Sequence, residues 1–68
     1  MVNIGERIRE ELTRQERSVS WLARKLNCQR SGIYRIFRKN SIDTQLLMQI
    51  SQILQHNFIR ELAEEADR

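Results

Sequence analysis

Leu22-Ala23-Arg24-Lys25-Leu26-Asn27-Cys28-Gln29-Arg30-Ser31-Gly32-Ile33-Tyr34-Arg35-Ile36-Phe37 reads as two short helices around a tight turn. Leu22, Ala23 and Leu26 recur at helical spacing, and so do Ile33, Ile36 and Phe37. Helices joined by so few residues cross steeply, which needs a small side chain where they approach most closely. Ala23 supplies it. The chain must reverse through a residue that accepts positive φ, and Asn27 tolerates that conformation better than most non-glycine residues. Cys28 is expected to act as a small hydrophobe that plugs the space between the helices. With Ile33, Ile36 and Phe37 turned inward, Arg30, Ser31, Tyr34, Arg35 and Arg38 are left on the outer side of the second helix of the pair.

The same reading extends in both directions. Ile4, Ile8 and Leu12 recur every four residues, with Asn3 before them and Glu6 three places later. That spacing resembles a capping box and predicts a first helix over about 4–16. Ser18 or Ser20 caps the next helix, and the third runs over about 30–38. Asp43 caps a fourth, with Ile42 stapled onto Leu47 and a stripe of Leu46, Leu47, Ile50, Ile53 and Leu54. Asn57 opens a last helix whose apolar residues are Phe58, Ile59, Leu62 and Ala66. The expectation is an all-α domain of five helices over residues 1–68, with a helix-turn-helix over about 18–39 formed by helices 2 and 3.

Composition narrows the function. Sixty-eight residues make one domain that buries only about 60% of its unfolded surface, leaving little room for a deep catalytic cleft. One cysteine excludes an intrachain disulfide and points to a reducing compartment. No apolar run approaches the ~20 residues of a membrane span, and no signal-peptide stretch opens the chain, so a soluble, cytoplasmic protein is expected. The net charge of +3 is unevenly spread. Residues 17–40 carry Arg17, Arg24, Lys25, Arg30, Arg35, Arg38 and Lys39 without one acidic residue, between neutral or acidic flanks. An acid-free block of this kind suits a polyanion, and an outward basic helix fits a major groove about 12 Å wide.

From Ser18 to Phe58 the chain resembles the helix-turn-helix family of phage lambda-type repressors and bacterial XRE regulators. The resemblance rests on Leu22-Ala23, on Asn27 where the family usually has glycine, and on Arg30-Ser31-Gly32-Ile33. Ile50-Ser51-Gln52-Ile53-Leu54 resembles its later apolar helix. It implies sequence-specific binding of double-stranded DNA, as a transcriptional regulator or repressor. Base contacts are then expected from Arg30, Ser31, Tyr34 and Arg35, with guanine read by Arg30 and Arg35. Phosphate contacts are expected from Ser18, Gln29, Arg38, Lys39, Asn40 and Thr44. Val19, Ser20 and Trp21 stand where the family often places Gln and Glu, so backbone anchoring is expected to come from elsewhere.

Other residues carry milder expectations. Trp21 reads as half-buried rather than as a base-stacking residue. His56 reads as structural or solvated, since it has no Cys or His partner at metal spacing. Glu61, Glu64, Glu65 and Asp67 read as a solvated helix face. No nucleophile-histidine-acid set or glycine-rich phosphate loop appears, so no enzyme, cofactor, metal site or small-molecule ligand is expected. Phe58, Ile59 and Leu62 offer apolar surface either to a homodimer through the C-terminal helix or to the first helix. The competing function is a protein-interaction module with the same fold, antitoxin-like or an assembly partner, with no specific DNA site.

Overall fold

Asn3, Ser18, Asp43 and Asn57 each turn a side-chain oxygen back onto the backbone N–H three residues on, at Glu6, Trp21, Leu46 and Arg60. Such caps satisfy donors that a helix start leaves unpaired. They open four of the five helices in a computed structural model that describes residues 3–66. The helices are α1 (Ile4–Arg14), α2 (Val19–Lys25), α3 (Arg30–Phe37), α4 (Thr44–Leu54) and α5 (Phe58–Ala66). Gln29 precedes α3 without any side-chain cap. Among the described residues there is no strand, and no helix is long and apolar enough to cross a membrane. The fold is therefore all-α with five helices, as the apolar spacing predicts. Asp67 and the side chain of Ala66 lie outside what is described.

Three helices end through one device. After α1, Glu16 N–H meets Thr13 O and Arg17 N–H meets Leu12 O; after α2, Asn27 pairs with Arg24 and Cys28 with Ala23. After α4, Gln55 pairs with Gln52 and His56 with Ser51. Each is a Schellman closure, which needs one residue in the left-handed region. Glu16, Asn27 and Gln55 adopt it at φ 58°, 56° and 52°. Asn27 is the one legible from sequence, because Glu and Gln carry no such preference.

Ile4, Ile8, Leu12, Leu22, Ala23, Ile33, Ile36, Leu47, Ile50, Leu54 and Phe58 form the buried core. Val19, Trp21, Leu26, Phe37, Ile42 and Leu62 pack around it. Cys28 differs from expectation. It is exposed, because its N–H closes the α2 end and its side chain leaves the turn toward Gly32 rather than entering the core. The first turn of α1 abuts the last turn of α3. A Cβ on Gly5 would stand 2.5 Å from the Ile36 carbonyl oxygen and 2.7 Å from the Phe37 carbonyl carbon. Gly5 N–H donates to Lys39 O at 3.0 Å, and the Asn3 amide donates to the Asn40 side chain at 2.9 Å. This seam fixes where α3 ends.

Candidate functional site

Helix α3 buries Ile33 and Ile36 and leaves Arg30, Ser31, Tyr34 and Arg35 exposed, followed by Arg38 at its C-cap. At 3.6 residues per turn these five side chains cover an arc of about 140° and span about 12 Å along the axis. All four residues expected to read bases thus share one outer face. Tyr34 is 49% exposed with its ring edge against Phe37, 6.1 Å between centroids. That contact holds the ring along the helix rather than free in solvent.

The residues expected to contact phosphate lie around that face, and all six are exposed. Ser18 accepts from Trp21 N–H at 3.0 Å, so its hydroxyl proton stays available to an acceptor. Gln29, which caps nothing, keeps its amide for an outside partner. Arg38, Lys39 and Asn40 follow α3 directly, held by the α1 seam. The Asn40 carbonyl oxygen is used by Asn3, which leaves its NH₂ group pointing onward. Thr44 starts α4, where backbone N–H groups favour an anion. Asp43 is the one carboxylate beside this stretch, and it is engaged by Leu46 N–H at 2.8 Å.

Charge pairing divides the molecule. Among the described residues, none of the seven cations of residues 17–40 meets a carboxylate, and all seven are exposed. Arg17 and Lys25 instead flank Trp21, at 4.7 and 5.8 Å from its ring centroid, as cation–π partners of a half-buried aromatic.

The other side of the molecule is laced together. Arg7 binds Glu61 at 2.6 Å and Glu10 at 3.2 Å, joining α1 to α5. Glu11 is buried and takes hydrogen bonds from Arg14 and Gln15, while Gln15 also donates to Leu54 O at 2.7 Å. The Arg14 hydrogen bonds, helped by Gln15 and by nearby His56, hold the Glu11 carboxyl down at about 2 against burial. Burial pushes the Glu61 carboxyl up, but the Arg7 hydrogen bond and the close approach of His56 outweigh it and the net direction is down. The bond to Glu61 raises Arg7. His56 stands 3.1 Å from Glu61 Oε2 and 3.9 Å from Glu11 Oε1, with its ring edge-on to Phe58. The short contact to Glu61 is an ion-pair distance without the alignment of a full hydrogen bond. His56 is thus structural, as expected, whereas Glu61 is half-buried and paired rather than merely solvated.

Two cations outside the expected set also face the α3 side. Arg9 on α1 and Arg17 before α2 line a groove with Tyr34 and Arg38. Arg17 belongs to the acid-free block and was visible there as charge; Arg9 carries no local signal, because only tertiary packing brings α1 beside α3. No protein-family model matches the chain, and neither a curated protein nor a solved structure matches it.

Proposed function

We propose that the chain binds double-stranded DNA in a sequence-selective manner, with α3 in the major groove, and acts as a repressor-type transcriptional regulator of the XRE kind. The observation that carries this reading is the outer arc of α3, set within seven exposed cations that meet no carboxylate among the described residues. Unpaired like charges repel one another and destabilise the compact state; a phosphate backbone relieves that repulsion. Arginine donates two parallel hydrogen bonds to O6 and N7 of guanine, so Arg30 and Arg35, at the first and sixth positions of α3, are the readers. Ser31 and Tyr34 fill the space between them. Ser18, Gln29, Arg38, Lys39, Asn40 and Thr44 position the helix on the backbone without reading sequence. A cytoplasmic location goes with this role.

Two copies on two-fold-related half-sites would raise selectivity beyond the few base pairs one helix reads. The apolar surface of α5 left for pairing is small. Phe58 is fully buried and Leu62 packs on the core, so of those three expected residues Ile59, 38% exposed, is the one left open.

Binding to random duplex at several salt concentrations tests the function. About six neutralised phosphates give a log–log slope near −5. A flat dependence would favour the protein-partner module instead.

A further inference from the structure

A groove of about 490 Å³ runs between α1 and the α2–α3 pair. Arg9, Arg17 and Arg38 rim it together with Tyr34, Val19 and Phe37 lie along its wall, and among the described residues no carboxylate lines it. We propose that this groove seats the phosphodiester backbone of the bound duplex, with Arg9 and Arg17 as phosphate ligands in addition to those around α3. The inference rests on the duplex-binding reading above and extends that interface onto the first helix.

Four observations converge. Arg9 has acidic neighbours along α1, yet it pairs with none of them: Glu10 is taken by Arg7 at 3.2 Å. Arg17 stacks over the Trp21 ring at 4.7 Å, which restricts its swing before any ligand arrives and so lowers the entropy lost on binding. Leu12, Val19 and Phe37 supply an apolar wall beside the exposed arginines, and a bound strand lying against it would shield their ionic hydrogen bonds, which are stronger away from open solvent. Tyr34 and Arg38 belong both to the groove and to the outer arc of α3, so a strand lying along that arc continues into the groove. Guanidinium forks match phosphate oxygens in pairs, and three of them along one channel suit a chain of phosphates better than a single small anion.

The test measures duplex affinity and its salt slope for the wild-type chain, R9Q/R17Q, R9K/R17K and R60Q. Arg60 lies on α5 and pairs with Glu64, so R60Q removes a cation far from the groove. Expected is a loss of about tenfold or more on every duplex for R9Q/R17Q, with a slope shallower by about 1.8 for two lost phosphate contacts. The lysine pair should recover most of both, and R60Q should match wild type. A wild-type slope for R9Q/R17Q, or the same small change in R60Q, overturns the groove assignment while leaving duplex binding intact. A flat slope in the wild type overturns the duplex reading itself. Inorganic phosphate at matched ionic strength forms the last arm. If it displaces duplex from wild type more readily than from R9Q/R17Q, duplex and free anion compete for the groove, as proposed; equal displacement from both places the duplex elsewhere and overturns the proposal.

Discussion

The side built from α1 and α5 pairs its cations with carboxylates, Arg9 excepted, whereas the side built from α2 and α3 leaves its own unpaired among the described residues. Arg7, Arg14 and Arg60 are each matched to a carboxylate, and two of these matches reach Glu11 and Glu61 in or beside the core. Arg24, Lys25, Arg30, Arg35, Arg38 and Lys39 are matched to none among the described residues. On the first side charge is internal glue: Arg7–Glu61 joins α1 to α5, while Arg14–Glu11 and Arg60–Glu64 each tie one helix to itself. On the second it adds repulsion that the apolar core beneath must outweigh. A small domain has few kcal/mol to spare, so leaving that repulsion in place makes sense where an outside anion cancels it.

The strongest way to break this contrast is at the seam between the sides. Gly5→Ala places a methyl group against the backbone of Ile36 and Phe37, which cannot rotate away as a side chain could. The variant should lose about 3 kcal/mol of stability, read as the midpoint of urea unfolding. A loss below 1 kcal/mol would mean that α1 and α3 slide apart easily and that the ends of α3 are not fixed by α1.

Acid should separate the sides next. The Glu11 carboxyl sits at about 2 against an ordinary 4.5, so its folded form is depressed. Its contribution is therefore present above about pH 4.5 and is lost as pH falls toward 2, a drop of about 2–3 kcal/mol. The lowered Glu61 adds to the loss in the same direction. Urea midpoints recorded from pH 6 to pH 2 should fall steeply for the wild type and less for Glu11→Gln. Parallel curves would show that buried Glu11 and its partners do not hold the α1 side.

On the other side, substitutions should spare the fold and affect binding. Arg30→Ala and Arg35→Ala should leave thermal unfolding nearly unchanged. Each should weaken the preferred duplex by about 2 kcal/mol and relax selection at one guanine. Site selection from random duplex checks this. If base preference survives while affinity drops evenly on all sequences, these arginines anchor rather than read.

The smallest effects concern the left-handed helix ends. Glu16→Gly and Gln55→Gly should each raise stability by about 1 kcal/mol, because glycine enters that conformation without the Cβ penalty. Asn27→Gly, in the half that carries the unpaired charge, should gain only a few tenths, since asparagine already tolerates it. Equal gains at all three positions in thermal melts would erase that distinction.

Much of the fold was legible because its determinants are local. Asn3, Ser18, Asp43 and Asn57 announce helix starts through chemistry within three residues, and the Ile4-Ile8-Leu12 and Leu47-Ile50-Leu54 stripes announce their buried faces. The helix ends were less so: α1 stops at Arg14, two residues before the expected Glu16, because Glu16 itself turns left-handed. What escaped depends on contacts between distant segments. Gly5 looks like a poor helix residue until the α3 carbonyls are set against it. Glu11, His56, Glu61 and Arg7 are scattered polar residues in sequence and one ion-pair network in space. Cys28 was misplaced because a residue that closes a turn with its N–H need not turn its side chain inward. For the site, residues on α3 were placed by helical periodicity, while Arg9 required the packing of α1.

Helices α2 and α3 have seven and eight residues, well under the ~12–15 at which an isolated helix holds in water. Neither can persist as a fragment, so the outer arc of α3 exists only while the entire core exists. On the proposed function, folding and recognition form one linked equilibrium. Duplex present at about a hundred times its dissociation constant would stabilise the whole chain by about 2.7 kcal/mol, or roughly 10–20 °C in the melting temperature of a domain this size. The linkage also runs the other way. On that reading, loosening the fully buried Phe58 would release the duplex without altering any residue proposed to meet it.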